Sequence, residues 1–219
     1  MEPEFWHDRW RTQDIGFHQE HPQPALVKHW PGLGVPATAA VFVPLAGKSI
    51  DMFWLAQQGH RVIGAELSEI AVDAFFQARG LEPVVRRAGS FTIKSAGSWE
   101  LWVGDFFELR AEDLNMVSAA YDRAALVAMP PQMQQRYADK MAELMPSASQ
   151  TLLIGLDYNA SEMKGPPFAV ARDRVSELFG PAFAVTLIEA RDGLAKSDHL
   201  AKRGVTYLEE ASYLLRRRA

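Results

Sequence analysis

The chain has no cysteine. That absence excludes a disulfide framework, a thiolate metal site and a cysteine nucleophile together. No stretch reaches the roughly 18 consecutive apolar residues of a membrane span, so none is expected. The N-terminus is acidic and aromatic rather than basic and then apolar, unlike a signal peptide. Nor is there a strong charge of one sign: 23 Lys and Arg against 27 Asp and Glu leave a net charge of -4. Nucleic-acid binding calls for a basic stripe, and the basic run Arg216-Arg217-Arg218 reads as a frayed, solvated tail. A cytoplasmic protein that binds neither nucleic acid nor membrane is the expectation. No serine lies in a nucleophile elbow, so acyl transfer has no support. His18 and His21 have no third ligand nearby, so no metal is expected.

Glycine is scarce at the turn where it matters most. Residues 41–69, VFVPLAGKSIDMFWLAQQGHRVIGAELSE, read as strand, turn, helix, strand and then an acid. That order builds half of a nucleotide-binding crevice, with turn amides near the ligand and a carboxylate facing a ribose diol. Gly47 and Glu66 stand 19 residues apart, close to the roughly 20 expected for ribose recognition. The dinucleotide fingerprint needs three spaced glycines, and this turn has one. A phosphate-binding loop ending in Gly47-Lys48-Ser49 would need glycine where Phe42 stands. The cradle for a pyrophosphate or triphosphate is therefore poorly supplied, and an adenosine ligand without phosphates fits better.

At 219 residues, 48% hydrophobic and 23% charged, the chain can build one substantial core, and a single domain over 1–219 is expected. Residues 1–39 form an arm. It has a helix at 3–12 with Trp6 and Trp10 one turn apart, a short helix near 25–30, and a Pro/Gly linker at 31–39. Rich in large aromatics, the arm is placed over the crevice as a lid. The core, 40–219, alternates strand and helix. A strand at 40–44 leads to a helix begun at Ser49 and stopped at Gly59. A strand at 61–66 leads to a helix capped by Ser68, with Ala71, Ala74, Phe75 and Ala78 as its apolar stripe. Residues 84–103 contain a hairpin turning at Ala96-Gly97, and a strand follows at 119–123. Pro130-Pro131 opens a helix with Met133, Tyr137, Met141 and Leu144 on one face, before an apolar strand at 150–157. This alternation argues an α/β fold with a doubly wound, mostly parallel sheet, closed by an antiparallel edge hairpin from 183–190 and 206–215.

In such sheets ligands sit beyond the carboxyl ends of the strands. The candidates there are Leu45 to Gly47, Glu66 with Leu67, Gly104-Asp105, and Asp122-Arg123. Each has a structural alternative. Glu66 could serve only the dipole of the helix after it, Asp105 could cap the next turn, and Arg123 could form a surface ion pair. Trp6, Trp10 and Phe17 could be core residues, but on a lid their faces would attract a cation.

WHDRW with Gly16-Phe17-His18, VPLAGKSIDMFWLAQQGH (43–60), VIGAELSEIAVDAFF (62–76), GDFFEL (104–109), YDRAALVAMP (121–130), LLIGLDY (152–158) and GPPFAV (165–170) occur in order along nearly the whole chain. Together they resemble the thiopurine S-methyltransferase family, in its bacterial form. The resemblance implies a class I methyltransferase fold with a seven-stranded, Rossmann-like sheet. It also implies use of S-adenosyl-L-methionine, released as S-adenosyl-L-homocysteine. Carried over by position, cofactor contacts fall at Trp10, Leu45, Glu66 and Arg123, with Trp6, Gly47, Leu67 and Gly104-Asp105 around them. Phe17 borders the acceptor pocket, and Arg123 orients the acceptor or stabilises its anion. His199 stands where relatives carry an acceptor-associated arginine, and Ala46 where they commonly carry cysteine. The acceptor implied is a small-molecule thiol or selenol, foremost a thiopurine, and a monomer is expected. Selenium or tellurium compounds, in metalloid detoxification, are the alternative acceptors. A nucleotide-dependent oxidoreductase is disfavoured by the missing glycines, and a non-enzymatic adenosine-binding module stays open.

Overall fold

The computed structural model describes residues 3–219, the side chain of Lys196 excepted, so Met1 and Glu2 of the expected arm lie outside the described residues. In chain order come α1 (Pro3–Arg11), α2 (Pro24–His29), β1 (Ala40–Val43), α3 (Asp51–Gln57), β2 (Arg61–Glu66), α4 (Glu69–Gln77), β3 (Val84–Ala88), β4 (Phe91–Ala96), β5 (Trp99–Val103) and β6 (Val117–Arg123). Then follow α5 (Pro131–Leu144), β7 (Gln150–Asp157), α6 (Arg172–Phe179), β8 (Phe183–Asp192), α7 (Asp198–Ala201) and β9 (Glu209–Arg217). The chain divides into two compact units, Met1–Tyr121 and Asp122–Ala219, with the boundary inside β6.

In the first unit β1 lies parallel to both β2 and β6, and β2 lies parallel to β5. β5 then pairs antiparallel with β4, and β4 with β3. All four residues of β1 are buried, as a strand covered on both faces requires. Seven strands were expected, and the described residues hold nine. The strands beyond the seven are β3 and β4, outside β5, and β4 with β5 is the hairpin expected at Ala96-Gly97. β3 is barely legible in sequence because both of its valines face water, Val84 at 75% exposure and Val85 at 56%. The buried stripe of α4 is Ala71, Val72, Phe75 and Phe76, in place of the expected set with Ala74 and Ala78. Bulk decides this, since burying Val72 and Phe76 removes more apolar area from water than burying two alanines. Phe75 stacks on Phe53 at 4.4 Å, with Trp99 edge-on to Phe53 at 5.1 Å.

Buried hydrogen bonds join the arm to α3 and to His60 in this unit. Asp51, in the first turn of α3, accepts the Gln23 amide at 2.8 Å and the Tyr121 hydroxyl at 2.9 Å. The Trp30 indole donates to Nε2 of His60 at 2.9 Å, which leaves the ring proton on Nδ1. Burial lowers the pKa of His60, in keeping with that neutral ring.

In the second unit β9 pairs antiparallel with β7 and with β8, so the edge hairpin forms as expected. The C-terminal arginines are not a frayed tail. Arg217 lies in β9, donates from Nε to the Ala142 carbonyl at 3.1 Å and from Nη1 to the Ala182 carbonyl at 3.0 Å. Its guanidinium also sits 5.6 Å from the centre of the Phe183 ring. Ala142 is in the last turn of α5, where carbonyls have no partner within the helix, and a long forked donor supplies one.

Candidate functional site

At the end of β1 the backbone turns sharply. Leu45 takes φ +46° and Gly47 φ +54°. For leucine that left-handed conformation is costly and persists only where its surroundings hold it. Ala46 donates its amide to the Ala65 carbonyl at 2.8 Å, tying the turn to β2. The Ala46 side chain is 3% exposed, beside Gly64, where an added Cβ would meet Ala46 Cβ at 3.0 Å and Leu101 at 2.5 Å. Position 46 is thus a packing position here.

Gly47 and Glu66, paired in sequence by spacing alone, are in direct contact. The Gly47 amide donates to Oε2 of Glu66 at 2.8 Å, and the Ser68 amide donates to Oε1 at 2.8 Å. Burial raises the pKa of Glu66, and the amides of Ser68, Gly47 and Leu67 oppose that shift. A carboxylate has about four lone-pair positions, and these two hydrogen bonds occupy only part of them. What remains suits a vicinal diol. The Gly47 amide, being spent on Glu66, is not available to a phosphate, which agrees with the missing glycines. The residues therefore fit an adenosine group without phosphates. Ser68 stands at the N-cap of α4, but its hydroxyl makes no capping bond and is buried without a partner.

The end of β5 is bound to the end of β2, since Gly104 donates its amide to the Glu66 carbonyl at 3.0 Å. A side chain at Gly104 would meet the Phe91 ring at 2.5 Å. Asp105 accepts the Phe107 amide at 2.9 Å and so caps the short helix Phe106–Glu108, the structural alternative raised above. From the arm, the Trp10 indole reaches to 3.1 Å of where a Cβ on Gly47 would lie. Trp10 is buried, and Phe17 meets it edge-on at 5.6 Å and Trp6 at 6.0 Å. The first unit thus gathers Trp10, Gly47 and Glu66 at the turn, with Phe17 and Trp6 extending from Trp10. Leu45 and Leu67 flank the turn and Glu66 in sequence, and both are half-buried.

In the second unit, Arg123 ends β6 and is half-buried, and Ala124 after it takes φ +68°. His199 lies on α7. Its pKa is lowered by desolvation and then by the cations of Arg203 and Arg123, which puts Arg123 and His199 within electrostatic reach of one another. Asp122 was a strand-end candidate, but its partners, and those of the GPPF loop, were not foreseen. Asp122 is 1% exposed, accepts the Tyr137 hydroxyl at 2.6 Å, and accepts the Leu126 amide at 3.2 Å. The GPPF loop is held by Tyr158, whose hydroxyl donates to the Pro167 carbonyl at 2.6 Å, and by Arg203, which donates to the Pro166 carbonyl at 2.8 Å. Neither partnership has a local sequence signal. Among the described residues, no group of three His, Cys, Asp or Glu could hold a metal ion, and no helix is long and apolar enough to cross a membrane.

The sequence profile of the family described as Thiopurine S-methyltransferase matches residues 1–218. The chain belongs to that family. It is accordingly a methyltransferase dependent on S-adenosyl-L-methionine. Among its relatives, the thiopurine S-methyltransferase of Methylococcus capsulatus is 48% identical over 220 residues, covering 100% of this chain and 99% of the relative. That of Pseudomonas fluorescens strain Pf0-1 is 47% identical over 216 residues, covering 99% of each. Solved structures carry the same fold at far lower identity. A methyltransferase of Anabaena variabilis described as SAM-dependent superposes with a TM-score of 0.66 at 13% identity, over 99% of this chain and 95% of that one. The Burkholderia thailandensis 1,6-didemethyltoxoflavin-N1-methyltransferase, solved with S-adenosylhomocysteine, gives 0.65 at 16% identity, over 99% of this chain and 87% of that one. The class I methyltransferase fold expected from the family resemblance is thus the fold found.

Proposed function

We propose that this member of the thiopurine S-methyltransferase family transfers a methyl group to the sulfur of thiopurines and other heteroaromatic thiols. The observation that carries the cofactor half of this reading is the Glu66 carboxylate, held by the Gly47 and Ser68 amides with acceptor capacity to spare. Glu66 takes the ribose hydroxyls, with Leu45, Gly47, Leu67 and Gly104-Asp105 around the nucleoside. Trp6 and Trp10 offer aromatic faces to a cation and exclude water. When bound, S-adenosyl-L-methionine supplies an electrophilic sulfonium methyl group. What is left to the chain is to orient the acceptor in line with it, and orientation is worth up to roughly 7–11 kcal/mol for ideally placed groups. A heteroaromatic thiol ionises readily, so the reading needs no strong general base. Arg123, a permanent forked cation, stabilises the acceptor's anion. Phe17 and His199 border the acceptor.

The acceptor half rests on the family's description. A product-identifying methylation assay with a thiopurine, an aryl thiol, a selenol and tellurite tests it. Turnover of the thiopurine and the aryl thiol, with S-methyl products, is the expected result. Turnover confined to selenol or tellurite would replace the thiol reading with metalloid methylation. A cytoplasmic location suits either acceptor class.

A further inference from the structure

Asp122 is buried, ionisable and unused by the chemistry above. Its Oδ2 accepts the hydroxyl of Tyr137, a residue of α5 that is itself wholly buried, at 2.6 Å. Its Oδ1 accepts the Leu126 amide at 3.2 Å, four residues ahead, at the start of the short helix Leu126–Ala128. Arg123 and Ala124 lie inside the loop that this second bond closes. Ala124 is held at φ +68°, a conformation that a residue with a side chain keeps only where neighbours impose it. One carboxylate therefore binds α5 through one oxygen and closes the turn that carries Arg123 through the other.

We propose that Asp122, braced by Tyr137, is a positioning residue that sets the backbone of the Arg123-Ala124 turn and so aims the Arg123 guanidinium. This rests on the acceptor role given to Arg123 above. Removing the carboxylate frees the turn. Replacing it by an amide keeps the oxygen that the Leu126 amide needs, and the Tyr137 hydroxyl can reverse to accept from the new NH2 group.

The experiment is a set of double-mutant cycles read by steady-state methylation of a thiopurine and by calorimetry with S-adenosylhomocysteine. Asp122→Ala should lower kcat/KM by about 100-fold, the scale of a misplaced positioning group, a larger factor than any loss of S-adenosylhomocysteine affinity. Asp122→Asn should recover kcat/KM to within about fivefold of wild type. Added to Arg123→Ala, Asp122→Ala should cause no further loss, because coupled residues are not additive. Should Asp122→Ala fail to fold, Tyr137→Phe takes its place, with about a tenfold loss alone and none added to Arg123→Ala. A defective Arg123→Ala whose loss multiplies with that of either partner variant would overturn the positioning role alone. Failure of a folded Asp122→Asn to recover activity would do the same. Wild-type kinetics in Arg123→Ala would overturn the role of Arg123 itself, and positioning through it.

Discussion

Glu66 and Asp122 are both carboxylates at the ends of strands, both buried, and both pushed up in pKa by that burial. Their partners differ in kind. Glu66 is held by backbone amides, at hydrogen-bond distance those of Gly47 and Ser68 with that of Leu67 also acting on it, so its environment is set by the chain's path and part of its acceptor capacity stays open. Asp122 faces a side-chain hydroxyl on one oxygen and an amide on the other. The first is built like half of a binding site whose other half is a ligand. The second already has its ligand in Tyr137. Burial and a shifted pKa do not separate the two, and partner type does.

That distinction is sharpest in stability against pH. Burial raises the pKa of Asp122 from 3.8 to about 6, against the pull of Tyr137 and the amides of Leu126 and Ala125. Folded Asp122 thus holds its proton more tightly than unfolded Asp122. Its contribution to stability is fully present below about pH 4 and is lost as pH rises through about 6. Asp122→Asn does not titrate, so relative to wild type it should gain roughly 2 kcal/mol between about pH 4 and about pH 8. Urea denaturation at both pH values measures this, and parallel behaviour of the two proteins would show that Asp122 is not desolvated as described.

Glu66→Ala should instead spare the fold and weaken S-adenosylmethionine binding by roughly 1–3 kcal/mol, the cost of an unmade hydrogen bond to a buried group. Calorimetry decides, and unchanged affinity would remove Glu66 from the site. Because the Glu66 pKa is raised, wild-type affinity should also decline on acidification from a higher pH than an ordinary glutamate would give. That decline should be missing from Glu66→Gln.

Arg123→Lys should cost about tenfold in methyl transfer, or roughly 1.4 kcal/mol, because a forked donor becomes a point charge. Protein stability should change little. Wild-type turnover and acceptor KM would make Arg123 an ion-pair residue only.

Smallest of all should be Ser68→Ala. Loss of an N-cap side chain ordinarily costs about 1 kcal/mol. The Ser68 hydroxyl caps nothing and is buried without a partner, so thermal unfolding should move by less than about 0.5 kcal/mol. A full capping loss would show that the hydroxyl bonds to the helix after all.

How much of this could be read from sequence depended on the range of the interaction. The spacing of Gly47 and Glu66 was legible because one strand–turn–helix–strand unit fixes both ends, but that the Gly47 amide bonds the carboxylate itself was not. Strand β7 was legible from continuous apolar residues. Ser68 was legible as the N-cap of α4, but that its amide serves Glu66 while its hydroxyl caps nothing was not. The C-terminal arginines were misread because the carbonyls that hold Arg217 lie 75 and 35 residues away in the chain. Asp122 was visible as a strand-end acid, but Tyr137 was visible only as one apolar member of a helix face. Nothing local says that its hydroxyl meets a carboxylate.

The Asp51 node has a consequence for how the first unit assembles. Two of its partners, Gln23 and Tyr121, lie 28 residues before it and 70 residues after it. The chain between them contains the turn at Gly47, α3, β2, α4 and the whole β3-β4-β5 excursion. Contacts that close long loops form late, after the entropy of bringing their ends together has been met by structure in between. The Asp51 carboxylate therefore has its full set of these partners only once β6 lies beside β1. The Gln23 side of the node closes over 28 residues and the Tyr121 side over 70, so one carboxylate joins a short-range latch to a long-range one.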